Sequence, residues 1–278
     1  MNIFEKAARC VAEADALVIT AGAGMGVDSG LPDFRGDKGF WAAYPALHGY
    51  SFSSMANPQW FDKDPHRAWG FYGHRLNLYR AVVPHEGFEI LREWATEKND
   101  QYFVFTSNVD GQFQKAGFSS TQIVECHGSI HHVQDLEGTG AIWSAEDVVV
   151  DVDEDILKAR DPLPRHPSNH KIIRPNILMF GDGYWNHART SAQENRYSSW
   201  LKAQTKSRLT VIEMGAGTAI PTVRSHGEFL ASRLNASLIR INPRESQVER
   251  RGISSISIAT GAKEGLTKIK EAYQQLYA

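Results

Sequence analysis

The chain has 278 residues, 42% hydrophobic and 22% charged, the balance of a globular protein long enough for one large domain with a sizeable insertion. Its 30 Lys and Arg against 32 Asp and Glu leave a net charge of -2, which argues against the basic footprint of a nucleic-acid or anionic-membrane binder. Only Cys10 and Cys126 are present, without a CxxC pair, so neither a disulfide framework nor a cysteine-rich metal knuckle is expected.

Taken in chain order, residues 2 to 13 carry Ile3, Ala7 and Val11 at helical spacing, continuing to Ala14, and residues 16 to 21 follow as a compact run that reads as a buried strand. Acidic residues stand where a secretory leader would be basic, and no apolar run approaches the roughly 18 residues of a membrane span, so a cytoplasmic protein is expected. Residues 36 to 75 are rich in Trp, Phe, Tyr and Gly. Then come a helical pattern over 84 to 97, a strand over Tyr102 to Thr106, a helix over 110 to 117 and a strand over Ile123 to Cys126. Residues 131 to 173 hold an acidic run and a loop dense in Pro and His. Four more strands are expected over Ile177 to Phe180, Leu209 to Met214, Ser237 to Ile241 and Ile256 to Thr260, with helices over 220 to 234 and 262 to 277. Alternation of this kind predicts an α/β fold, a Rossmann-like parallel sheet covered by helices on both faces. The two irregular stretches, 36 to 75 and 131 to 173, are expected to form a smaller lobe, leaving 1 to 35, 76 to 130 and 174 to 278 for the main domain.

Two glycine loops follow strands. Gly22-Ala23-Gly24-Met25-Gly26 comes after the first, and Gly215-Ala216-Gly217-Thr218 after the Leu209 to Met214 run. Missing side chains let backbone N-H groups approach a phosphate. Asn242 ends the next strand, where a polar side chain of a dinucleotide-binding unit meets a ribose. Two such loops and a ribose candidate suggest a whole dinucleotide; tight connections in a protein without cofactor are the alternative.

The segment from Gly22 through Val27, Asp28, Ser29, Gly30, Leu31, Pro32, Asp33, Phe34 and Arg35 to Gly36 resembles the cofactor loop of the sirtuins, NAD-dependent protein deacylases. Three further stretches resemble that family in its order: Thr106-Ser107-Asn108-Val109-Asp110, Glu125-Cys126-His127-Gly128-Ser129, and Arg174 to Asp182. The resemblance implies NAD held by Gly22, Ala23, Gly24, Asp33, Phe34, Arg35, Ser107, Asn108, Asp110, Gly215, Gly217, Thr218 and Asn242. It implies that His127 is the general base acting through the ribose hydroxyls, a role suited to a side chain titrating near neutrality, with Asn108 ordering the ribose or a water. The family usually has Gln where Ser107 stands. An acyl-lysine protein or peptide is the implied substrate, lying along Met179, Phe180 and Gly181 as an added strand.

The stretch Met55 to Phe61 and the pair Tyr72 and Arg75 resemble the sirtuin branch that removes succinyl and malonyl groups. Residues three apart share a helix face, so Tyr72 and Arg75 are able to converge on a carboxylate, while Ala56 leaves room for the acyl chain. Tyr and Arg at this spacing are also common on surface helices. Most sirtuins carry a four-cysteine zinc site in the small lobe. Gln134, Asp135, Glu137, His166, Asn169 and His170 stand near the usual positions here, no metal is expected, and aromatic packing by Trp41, Trp60, Trp69 and Trp143 is expected instead. Deacylation is the leading expectation. An NAD glycohydrolase, a protein ADP-ribosyltransferase and an idle NAD-binding module are the alternatives.

Overall fold

A computed structural model describes residues 1–33 and 36–277. Its centre is a six-stranded, all-parallel sheet in the order Ser255–Ile258, Ser237–Ile241, Leu209–Met214, Ala16–Ala21, Tyr102–Thr106, Ile123–Glu125. Every residue of the Ala16–Ala21, Tyr102–Thr106 and Leu209–Met214 strands is buried, as expected of strands covered on both faces. Register decides what this sheet can do. Ala21 lies opposite both Thr106 and Met214, and Met214 opposite Ile241, so these strands end level and the loops at 22, 107, 215 and 242 leave along one edge.

Helices cover both faces. On one, Ile3–Glu13, Glu86–Glu97 and Ala262–Tyr277 pack Val11, Leu91, Trp94 and Ile269 into a common core. The first is closed by a capping box in which Asn2 accepts from Glu5 N and Glu5 returns to Asn2 N. On the other face, Ala188–Ala203 and Thr222–Arg233 cover Phe103, Val124 and Val211. No helix among the described residues is long and apolar enough to cross a membrane.

A second core gathers Phe40, Trp69, Phe71, Tyr72, Val133, Leu157 and Met179, with Trp41, Trp60 and Trp143 packed against it. Its long helix, Pro65–Ala81, starts with Asp64 accepting from Arg67 N and with Pro at the first position, and it runs through the lobe boundary expected at 75/76. Around the positions where a zinc site was considered, Gln134 is fully buried. Its Oε1 accepts from Asn176 Nδ2 and Asn186 N, and its Nε2 donates to the Tyr184 and Asp135 carbonyls. Among the described residues no three His, Cys, Asp or Glu side chains converge as a metal site.

Two expected elements differ. The strand placed at Ile177 to Phe180 is Ile173–Ile177, and it pairs antiparallel with Gly128–Asp135 in a separate three-stranded sheet. Beyond Ile177 the apolar run forms no ladder, because its N-H groups are spent separately: Leu178 donates to His127 O, Met179 to Asp182 Oδ2 and Phe180 to Ala56 O. The helix expected over 110 to 117 shrinks to Gln112–Lys115, since Asp110 caps Gln112 N in a turn and both Gly111 and Gly117 have positive φ.

Candidate active site

The aligned strand ends open onto a cavity of about 800 Å³ bounded by both glycine loops, the 107–110 segment, His127, the 177–182 stretch and the Pro65–Ala81 helix. The glycines serve first to let the two loops meet. A Cβ on Gly24 would lie 2.7 Å from Gly215 Cα, and one on Gly215, at φ +60°, would lie 2.3 Å from the Gly24 carbonyl carbon. Only bare backbone permits this contact, and Gly24 N donates to Gly215 O across it at 3.1 Å. Gly22, Ala23, Gly24, Gly215, Gly217 and Thr218 all line the cavity. The first loop continues into two 3-10 turns, Ala23–Met25 and Val27–Ser29.

Asn108 and Asp110 sit on the loop after Tyr102–Thr106, beside the first glycine turn. Asn108 Nδ2 donates to Gly22 O at 3.0 Å, and its own N-H donates to Thr106 Oγ1. Asp110 is 8% exposed, and burial lifts its carboxyl from the ordinary 3.8 to about 6, partly offset by the Gln112 N-H it accepts. It remains an ionised acceptor at neutral pH. Ser107 lines the cavity next to them.

His127 stands on the turn between Ile123–Glu125 and Gly128–Asp135, half-buried at the cavity wall. Burial lowers its pKa, opposed by a hydrogen bond with the Ser107 backbone, so the imidazole is neutral and able to accept a proton near pH 7. The neighbouring glycine is needed for the crossing: at φ +79°, a Cβ on Gly128 would lie 2.1 Å from Asn176 O. His127 O in turn accepts from Leu178 N, which fixes the 178–182 segment beside the imidazole.

That segment is braced from beneath by a buried ion pair between Arg174 and Asp182, 1% and 0% exposed. Arg174 Nη1 reaches Asp182 Oδ1 at 3.0 Å, and Asp182 also accepts from Met179 N and Tyr184 N. Met179, Phe180 and Gly181 line the cavity, as do Ala56, Tyr72 and Arg75 from the other lobe. The Phe180 N-H donating to Ala56 O at 2.9 Å ties these two walls together. Tyr72 is 1% exposed, and its hydroxyl has no hydrogen-bond partner among the described residues.

Asn242 takes another place than the one foreseen. It is 1% exposed and does not line the cavity; its Nδ2 donates to Ala216 O at 2.9 Å and its Oδ1 accepts from Arg244 N and Glu245 N. It shapes the rim, where Glu245 lines the cavity and accepts from Thr218 Oγ1 at 2.6 Å. Asp33 lines the cavity and bridges to Arg244 at 3.2 Å, whereas Phe34 and Arg35 lie outside the described residues. Glu245, Asp182 and Tyr79 are cavity residues missing from the sequence-derived set. Glu245 was detectable only as an acid three residues past a strand-ending Asn.

The model of the Sir2 family matches residues 22–201. The NAD-dependent protein deacylase of Aquifex aeolicus is 25% identical over 265 residues, covering 94% of this chain and 96% of that protein. The NAD-dependent protein deacylase of Deinococcus radiodurans is 29% identical over 271 residues, covering 96% and 95%. Among solved structures, a Sir2 homologue in complex with NAD superposes with a TM-score of 0.73 at 23% identity, over 98% of this chain and 94% of that one, a likeness of fold.

Proposed function

The chain belongs to the Sir2 family, and from that premise we propose that it is an NAD-dependent protein lysine deacylase whose acyl end is suited to a carboxylate-bearing group such as succinyl or malonyl. Fitness for NAD rests on the paired glycine loops, whose contact excludes every side chain larger than hydrogen and leaves backbone at the cavity wall. In this reading the loops and Thr218 hold the phosphates, Glu245 accepts from ribose hydroxyls, and Asn108 and Asp110 meet the nicotinamide half. When bound, NAD supplies an activated ribosyl carbon with nicotinamide as leaving group. Buried and ionised, Asp110 accepts from the carboxamide. His127 takes a proton onto its neutral imidazole, and the mostly apolar walls at Met179 and Phe180 keep water from competing with the acyl oxygen.

The observation that carries the acyl reading is the buried Tyr72 hydroxyl, without a hydrogen-bond partner among the described residues, lining the cavity with Arg75, since a buried donor of this kind is costly until a ligand accepts from it. A terminal carboxylate accepts from that hydroxyl and is attracted by the guanidinium beside it. Incubation with NAD and a succinyl-lysine peptide is the test, with products identified by mass spectrometry. Peptide-dependent O-succinyl-ADP-ribose is expected, and His127→Ala should slow its formation by about 10²-fold or more. Free ADP-ribose formed equally without peptide, or full turnover by the variant, defeats the assignment and favours NAD hydrolysis.

A further inference from the structure

We infer that His85 is a positioning residue for the cofactor: its imidazole, carrying its hydrogen on Nε2, pins the first glycine loop at the Met25 carbonyl from behind the cavity, and it does so only while the ring is neutral. The inference rests on the reading of Gly22 to Gly24 as the phosphate loop for NAD, and it stands whichever acyl group is removed.

Residues 25 to 30 join two parts of the cavity wall, Gly22 to Gly24 upstream and Leu31 to Asp33 downstream, without lining it themselves. This span is built from the Ala23–Met25 and Val27–Ser29 turns, 3-10 pieces too short for an α-helical ladder, so its position depends on what holds it from outside. His85, 8% exposed and placed just before the Glu86–Glu97 helix, holds both turns. Its Nε2 lies 2.9 Å from Met25 O, and its backbone N-H donates to Ser29 Oγ at 3.0 Å. Met25 follows directly on Gly24, whose N-H donates to Gly215 O, so a shift at the Met25 carbonyl is passed to the contact between the two glycine loops.

The partners fix the tautomer. A carbonyl only accepts, which places the hydrogen on Nε2; on the other side, Gly87 N-H donates to Nδ1 at 3.0 Å, which keeps that nitrogen bare and caps the helix. The ring is seated on bare backbone, since a Cβ on Gly87 would lie 2.6 Å from His85 Cε1, and the Phe88 ring packs 5.0 Å away. A second proton has its place only on Nδ1, where it would face the Gly87 N-H, donor against donor. Turning the ring away from Gly87 draws Nε2 off Met25 O. Burial is the main influence on its pKa and lowers it, aided by Lys263 from the Ala262–Tyr277 helix. The Met25 bond, Asp28 on the second turn and Glu86 on its own helix oppose the shift without reversing it, so at pH 7 the ring is neutral and the pin is in place.

His85→Asn separates the two bonds: the amide oxygen takes the place of Nδ1 and keeps the helix cap, but the side chain is too short to reach Met25 O. By calorimetry the Kd for NAD should rise about fivefold at pH 7.5 through the loss of one hydrogen bond, with a urea midpoint near that of wild type. The ratio of variant to wild-type Kd should narrow towards one as the pH falls below the ordinary histidine value of 6.5 and the wild-type ring takes up its proton. Asp110 and His127 titrate in both proteins and drop out of that ratio. Nitrogen NMR of the histidine rings in wild-type protein gives a second reading that needs no variant. It should show Nε2 protonated and Nδ1 bare at pH 7.5, with a titration midpoint that NAD moves to lower pH, since binding and the neutral ring favour each other. Equal Kd values at pH 7.5, a ratio that does not change with pH, the opposite tautomer, or the same midpoint with and without NAD overturns the inference. Wild-type protein that takes up no NAD at all refutes instead the phosphate-loop reading on which it rests.

Discussion

Asp110→Asn should make the protein more stable and less active at once, with a gain that depends on pH in a defined way. Asp110 is 8% exposed, and its carboxyl is raised from 3.8 to about 6 chiefly by burial. A raised folded-state value means that between these limits the native protein binds more protons than the unfolded chain, so stability from this group falls as pH climbs from about 4 to about 6. The gap of roughly two pH units corresponds to about 3 kcal/mol lost at neutral pH relative to pH 4. Asparagine occupies the same volume and still accepts the Gln112 N-H, which now reaches Asp110 Oδ1 at 2.9 Å, but it has no charge to desolvate. His132 and His226, held to about 4 mainly by burial, pull in the opposite direction as pH falls from 6.5, yet they are common to both proteins and drop out of the difference. Urea unfolding at several values between pH 4.5 and 8 is the assay. The stability of Asp110→Asn minus that of wild type should grow across pH 4 to 6 and level off above it, with a rise in Tm of about 5 °C at pH 7.5. A difference independent of pH would falsify the claim that buried charge, rather than packing, governs this site. Turnover should fall because the amide replaces a charged acceptor.

Gly24→Ala drives a methyl group against the Gly215 Cα at 2.7 Å, where backbone meets backbone and neither can turn aside. It should cost about 1–3 kcal/mol of stability and weaken NAD binding at least about tenfold by calorimetry; wild-type affinity would show that the loop contact is dispensable. Asp182→Ala leaves Arg174 buried without its counter-ion and releases Met179 N and Tyr184 N. The expected loss is about 3–5 kcal/mol in urea unfolding, and a loss under 1 kcal/mol would mean that the pair does not brace the 178–182 segment.

Much of the sheet was legible in the chain, because strands buried on both faces need continuous apolar, β-branched residues wherever they lie. The runs at 16 to 21, 102 to 106, 209 to 214 and 237 to 241 coincide with strands of the sheet. The run at Ile177 to Phe180 misled for the same reason: its side chains are apolar because they wall a cavity, with Met179 buried and Phe180 39% exposed, while its N-H groups go to three separate acceptors. Gly22, Gly24, Gly215 and Gly217 could be picked out as loops near a cofactor, but not as loops pressed against one another, since the two lie almost 200 residues apart and only parallel register brings them together. Asn242 illustrates the limit. A polar residue at a strand end was expected to face a ribose, and its amide instead ties the turn to Ala216 O while Glu245 lines the cavity.

Local chemistry in the sequence thus determined the strand cores, the glycine turns and the side chains available for proton transfer and carboxylate recognition, because burial pattern and residue type are properties of short segments. Which of those side chains share a cavity, and that Arg174 finds its counter-ion in Asp182, were decided only by tertiary structure. Those outcomes depend on strand register and on one helix crossing the cleft, and contacts over such separations leave no periodic trace in the chain.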